Sequence, residues 1–174
     1  MMKHSWLSMS LLLVFGMLGV ALAANQSSEY TDATHGFKVR LPTVETPQLA
    51  PGLTTVVRFY APPKNQFAAN LGIQIQPWPK GKDLYQDNDV AESQFGSAGF
   101  RLLSRKQFKV GDHQALELMS TSQQGGQQLQ FLTWLVARDD ELFVLTCTAL
   151  QATFEDYEKV CRAALNTFSF IDRQ

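Results

Sequence analysis

Leu129-Gln-Phe-Leu-Thr-Trp-Leu-Val-Ala137, Arg138-Asp-Asp-Glu141 and Leu142-Phe-Val-Leu-Thr-Cys-Thr-Ala149 are the stretch that decides the fold of this chain. In the first run apolar residues fall on both parities, with Leu129, Phe131 and Leu135 on one and Leu132, Trp134 and Val136 on the other. A strand buried on one face would alternate, so these runs read as central strands covered on both sides. The short charged stretch between them makes an antiparallel hairpin rather than a crossover pair. The rest of the chain must then supply flanking strands and a cover for each face. Residues 153–168 are one cover, with Phe154, Tyr157, Cys161, Ala164, Leu165 and Phe168 on a single helical stripe. Thr153 is placed to cap that helix, and Asp156 to reach back to it as a weak capping box.

Upstream, Phe37-Lys-Val-Arg-Leu41 alternates apolar and basic side chains after the lead-in from Tyr30 to Gly36, and stops at Pro42. That is a half-exposed strand entered through a glycine turn. Residues 43–52, with Pro47 and Pro51, read as a loop. Thr54-Thr-Val-Val-Arg-Phe-Tyr60 is a strand by its β-branched and aromatic content. Residues 70–76 alternate cleanly, Leu71, Ile73 and Ile75 against Gly72, Gln74 and Gln76, and pair with the preceding strand. Between Lys82 and Gly99 the period becomes helical, with Leu84, Ala91, Phe95 and Ala98 on one face and Gly99 at its end. Two more strands, residues 100–110 and 113–122, join at Gly111-Asp112, and Gln123-Gln-Gly-Gly-Gln-Gln128 turns into the central hairpin. This order predicts an α+β fold in which one antiparallel sheet carries helices on both faces.

The first residues are of a different kind. Lys3 and His4 precede an apolar run from Trp6 to Leu22, no acidic residue occurs before Glu29, and Ala21-Leu-Ala23 is a small-x-small cleavage signal. The pattern predicts a signal peptide over 1–23, a loosely ordered polar lead over 24–29 and a single domain over 30–174. The competing reading is an uncleaved anchor, because the run approaches spanning length. The cleavage signal and the polar Asn25-Gln-Ser-Ser28 after it favour removal, and no cysteine lies nearby for lipid attachment. The mature protein is therefore expected in the periplasm or outside the cell, with no stable membrane insertion. Removing Lys3 from the 15 Lys and Arg leaves 14 against 16 Asp and Glu, a net charge of −2 with His neutral. No basic stripe follows a run of phosphates, which argues against nucleic acid as a partner. Arg101, Arg105, Lys106 and Lys109 do cluster on one predicted strand, where their mixed parity reads as a solvated edge that resists edge-to-edge pairing.

Cys147 falls in the second central strand and Cys161 on the apolar stripe of the final helix. In an oxidising compartment they would bridge helix to sheet; otherwise they are two buried thiols acting as small hydrophobes. A search for chemistry returns little. His35 and His113 stand in or beside turns without partners at metal-ligand spacing, and Asp83, Asp87, Asp89 and Glu92 lack the pattern of a calcium loop. Gly96-Ser-Ala-Gly99 departs from the Gly-x-Ser-x-Gly order of a nucleophile elbow. Asn25-Gln-Ser27 is a sequon that matters only in a eukaryotic secretory route. No catalytic, cofactor or metal site is expected. Trp78, held between Pro77 and Pro79, and Tyr60, before the Pro62-Pro63 loop, are the candidate partner-binding residues. Two readings fit Trp78: a rigid interface anchor, or a side chain folded back to seal the core.

Four places resemble the PsbP-like group, whose fold is shared with Ran-binding Mog proteins and bacterial DcrB-type envelope proteins. They are Tyr30-Thr-Asp-Ala-Thr-His-Gly-Phe-Lys-Val-Arg-Leu-Pro42, Asn70-Leu-Gly-Ile-Gln-Ile75, Val110-Gly-Asp-His-Gln-Ala115, and Leu142–Ala149 with Phe168-Ser-Phe170. The resemblance implies an α/β/α sandwich around an antiparallel sheet. It also implies proteins that mostly bind and stabilise other proteins, and it carries over no catalytic residue. The short lead departs from plant photosystem members, and the leader argues against a cytosolic effector-chaperone role. The resulting expectation is an exported, non-catalytic accessory protein of the bacterial envelope. A small-ligand or lipid carrier and a hydrolase with an unrecognised site are the alternatives.

Overall fold

The computed structural model describes residues 28–41, 55–61, 63–86 and 99–173. Two antiparallel sheets form. The larger has six strands in the order β3-β4-β8-β7-β6-β5, built from β3 (Thr55–Tyr60), β4 (Asn70–Pro77), β5 (Phe100–Val110), β6 (His113–Gln124), β7 (Gln127–Arg138) and β8 (Glu141–Leu150). The central hairpin lies where its two-sided hydrophobicity requires, with β4 and β6 flanking β8 and β7. Its turn is tighter than the charged stretch suggests: Arg138 already pairs with Glu141, leaving Asp139-Asp140 between them, and Asp139 takes φ +57°.

The register sorts the two parities onto two faces. Leu132, Trp134 and Val136 lie with Phe143, Leu145 and Cys147 in one core cluster; Leu135 lies with Leu116, Leu118, Leu142 and Val144 in a second. The first face is covered by α1 (Phe154–Leu165), which follows a 3₁₀ turn, and by a small sheet of β1 (Ser28–Asp32), β2 (Phe37–Leu41) and β9 (Ser169–Phe170). Phe37 of the small sheet packs edge-on to Phe143 at 5.8 Å, and Phe170 edge-on to the same ring at 5.0 Å. The second face is covered in part by residues 78–86, from which Trp78 and Leu84 are buried with the leucines of β6, β7 and β8.

The α/β/α sandwich with helices on both faces is not the architecture. Strands make up 59% of the described residues, which contain a single short α-helix. On the first face the helix shares the cover with a second sheet. That sheet depends on pairs far apart in sequence, such as Phe37 with Phe170, which no local pattern announces. On the second face, residues 82–83 of the expected helix are irregular and 84–86 form a turn, and 87–98 lie outside the described residues, as do the expected leader, the 43–52 loop and the sequon. β1 begins at Ser28, inside the lead expected to be loose. The capping box at α1 does not form: Thr153 makes no side-chain cap, and Asp156 instead meets Lys64 at 3.1 Å.

Candidate functional site

Trp78 is 6% exposed. Its main-chain N–H donates to the Asp140 carbonyl at 2.7 Å, extending the pairing of β4 with β8, and its indole N–H donates to the Lys82 carbonyl at 3.2 Å. The Lys82 ammonium lies 5.0 Å from the ring centroid. The prolines on either side set the entry and exit of the chain, and the side chain turns inward. Tyr60 is half-buried and sits opposite Asn70, at the far end of β4 from Pro77. The structure thus does not bring Trp78 and Tyr60 to one end of the molecule: the full length of β4 separates them.

Cys147 and Cys161 form a disulfide with Cα atoms 6.1 Å apart, joining β8 to α1. The same helix is fixed to β6 by one ion pair, Arg162 with Glu117, while Glu158 lies on the helix itself. Arg162 donates to Glu117 at 2.7 Å and to Glu158 at 2.8 Å, and the indole N–H of Trp134 donates to Glu117 at 2.9 Å. Burial would raise the Glu117 carboxyl, but the hydrogen bonds from Arg162 and Trp134, with the charges of Arg162 and Lys106, outweigh it. They hold the group below the usual carboxylate range.

A polar cleft of about 380 Å³ opens beside the β7–β8 turn, lined by His113, Arg138, Asp139, Phe170, Asp172 and Arg173 among others. Arg138 is its most constrained member. It is 7% exposed, its guanidinium lies 4.4 Å from the ring of Phe170 and 5.1 Å from that of Phe143, and it donates to the carbonyls of His35 and Gly36, the latter at 2.8 Å. Burial, with the nearby Arg173 charge, lowers its pKa against the pull of Glu141 and Asp139. Arg173 is paired with Glu141. The His113 ring stands edge-on to Phe170 at 4.7 Å. Arg138, Arg173 and His113 thus link the segments around the small sheet to the large one, and acidic and basic side chains balance around the opening. His35, at the other end of that contact, is held by Asp32 at 3.0 Å. The described residues contain no group of three or more His, Cys, Asp or Glu that could hold a metal ion. No helix among them is long and apolar enough to cross a membrane.

Arg138 is the residue that sequence reasoning passed over, because it stands in what looked like a solvated turn. The signal for its role was the apolar run leading directly into a charge, but its acceptors lie a hundred residues upstream.

Comparison with known proteins places the fold. The DcrB family profile matches residues 26–167, and the chain belongs to that family. Its fold is the PsbP-like one. It is similar to cyanobacterial PsbP (CyanoP) from Synechocystis sp. PCC 6803, with a TM-score of 0.64 at 12% identity over 86% of this chain and 95% of that one. It is also similar to PA94 of Pseudomonas aeruginosa, a protein of unknown function, with a TM-score of 0.57 at 18% identity over 79% and 92% of the two chains. LpqN of Mycobacterium tuberculosis, described as involved in cell envelope biogenesis, gives a TM-score of 0.57 at 10% identity over 86% and 87%. Among curated proteins none matches the sequence closely enough to count as a relative.

Proposed function

We propose that this chain is an exported, non-catalytic accessory protein of the bacterial cell envelope, acting by protein–protein contact. The observation that carries the reading is the DcrB family match across residues 26–167, which follows an apolar run ending in Ala21-Leu-Ala23, the sequence pattern of a cleavage site. The disulfide supports an oxidising compartment, where such bonds persist. The description of LpqN supports an envelope role for this fold outside photosynthesis.

Fractionation of the natural host tests the location. Protein recovered from the envelope fraction, with an N-terminus at Ala24 or Asn25, supports export and processing; an intact N-terminus in the cytosol refutes them. Mild crosslinking in the intact envelope, followed by native capture and mass spectrometry, tests the action. A reproducible, stoichiometric protein partner is expected. Capture without one, together with a stoichiometric small molecule in the organic extract, would move the protein to the carrier class.

A further inference from the structure

The connection between β3 and β4 ends in a tight turn. At its base the Ala61 N–H donates to the Ala69 carbonyl at 2.7 Å. Further out, Lys64 and Phe67 exchange both main-chain hydrogen bonds, at 2.9 and 3.1 Å, with Asn65 and Gln66 between them. These two residues take φ +53° and +63°. Positive φ at both central positions is the mark of a type I′ turn, whose second position glycine fills at least cost. Asparagine is among the side chains that tolerate the left-handed region, and glutamine is not. Gln66 therefore works against the turn it occupies. Its side chain returns nothing to the fold: Asn65 and Gln66 are exposed, and among the described residues no hydrogen bond engages either carboxamide. Lys64 reaches Asp156 of α1 at 3.1 Å, which sets the tip beside the start of that helix.

We propose that this tip, Pro63 to Phe67, is the contact surface for a protein partner, and that Asn65 and Gln66 hydrogen-bond to main-chain groups of an uncharged, extended segment of it. This rests on the protein–protein reading above and names its surface. A carboxamide carries one carbonyl and one NH2, the donor and acceptor of a peptide unit, so two on adjacent residues match consecutive peptide groups. Lys64 is the only charged residue between Ala61 and Ala69, and Asp156 neutralises it, so nothing on the tip selects a charged partner. Exposed Pro63 and half-buried Tyr60 and Phe67 add apolar surface in the same stretch. A turn ordered before contact lowers the entropic cost of binding. Backbone strain is retained where a side chain is needed for contact, and Gln66 fits that rule.

The test places a photoreactive benzoylphenylalanine at Pro63, and separately at Lys109, at the opposite end of the large sheet, in the protein made in its natural host. Irradiation of intact cells should give one discrete protein adduct from position 63 and none from position 109. Asn65→Gly with Gln66→Gly keeps the turn and removes both carboxamides. In that background the adduct should fall about tenfold or more. The urea midpoint of the purified variant should stay level or rise, since glycine relieves the left-handed strain. Added salt should leave the adduct from isolated envelopes unchanged. A lowered midpoint would show that the carboxamides serve the fold, and would overturn the proposal. An adduct indifferent to the glycines, one that weakens with salt, or equal adducts from both positions would overturn it too. An adduct from position 109 alone would refute the tip and leave the accessory reading standing. No adduct from either position, with a stoichiometric small molecule in the organic extract, would remove the reading on which the tip rests.

Discussion

Gly36 sits where backbone conformation and packing converge. Its φ is +64°, a region that costs a residue with a Cβ about 1–2 kcal/mol. A Cβ there would also lie 2.8 Å from Arg173 Cγ and 2.8 Å from the Ile171 carbonyl oxygen. The Gly36 carbonyl meanwhile accepts from Arg138 and from the Ile171 N–H at 2.9 Å. Gly36→Ala should therefore cost about 2–4 kcal/mol, read as a lower midpoint in urea unfolding. The sequence marked Gly36 as a turn residue, and that was legible because the conformational demand is local. Trp78 was legible only as one of two alternatives. Flanking prolines fix the direction of a chain but not whether the side chain finds a pocket, and this pocket is made by Leu84 and by leucines from three strands. Arg138 was illegible, because a cation in a turn is usually solvated and nothing nearby points to its carbonyl partners.

At the scale of elements, α1 illustrates how a short helix is held. Twelve residues are too few to be stable alone in water. Packing of Phe154, Ala164 and Leu165, the disulfide and the Arg162–Glu117 contact keep it on the sheet. On the chain-entropy model the bridge contributes about 3 kcal/mol for a loop of this size. The Cys147→Ala, Cys161→Ala double variant should lose about that much in chemical denaturation, and added reductant should lower the wild type to match it. Glu117 supplies a pH dependence with a definite sign. Its folded carboxyl is held low, so its stabilisation is fully present above the ordinary glutamate pKa of about 4.3 and is lost as pH falls through the lower folded value. Glu117→Gln should cost about 1–3 kcal/mol at neutral pH and flatten the acid limb of the stability profile. The helix, the central hairpin and the strands beside it were readable because each carries its own periodicity. β1 and β9 were not: one is a polar five-residue strand and the other has two residues, so both exist through their partners.

For the whole molecule, the decisive contact is between the two sheets. Phe37, Phe143, Phe168 and Phe170 fill it, and Arg138 pins its margin. Arg138→Met keeps the stem and loses the two carbonyl contacts; a cost of about 2–4 kcal/mol is expected. Amide exchange should localise the loss to β1 and β2 and leave the middle of β7 and β8 protected. Uniform deprotection would show that the sheets unfold as one unit instead. The sheet order also bears on when this structure can exist. A chain is made from its N-terminus, and β4 has its inner neighbour in β8, with β5, β6 and β7 intervening in sequence. β2 waits longer still, for the last strand of the chain. The early pairs β1–β2 and β3–β4 must therefore wait for their second neighbours until the C-terminal third arrives, a topology that slows folding and lengthens exposure of strand edges. Under the export reading proposed above, in which the chain would cross a membrane unfolded, that delay is an advantage: the two sheets cannot lock together before β9 is through.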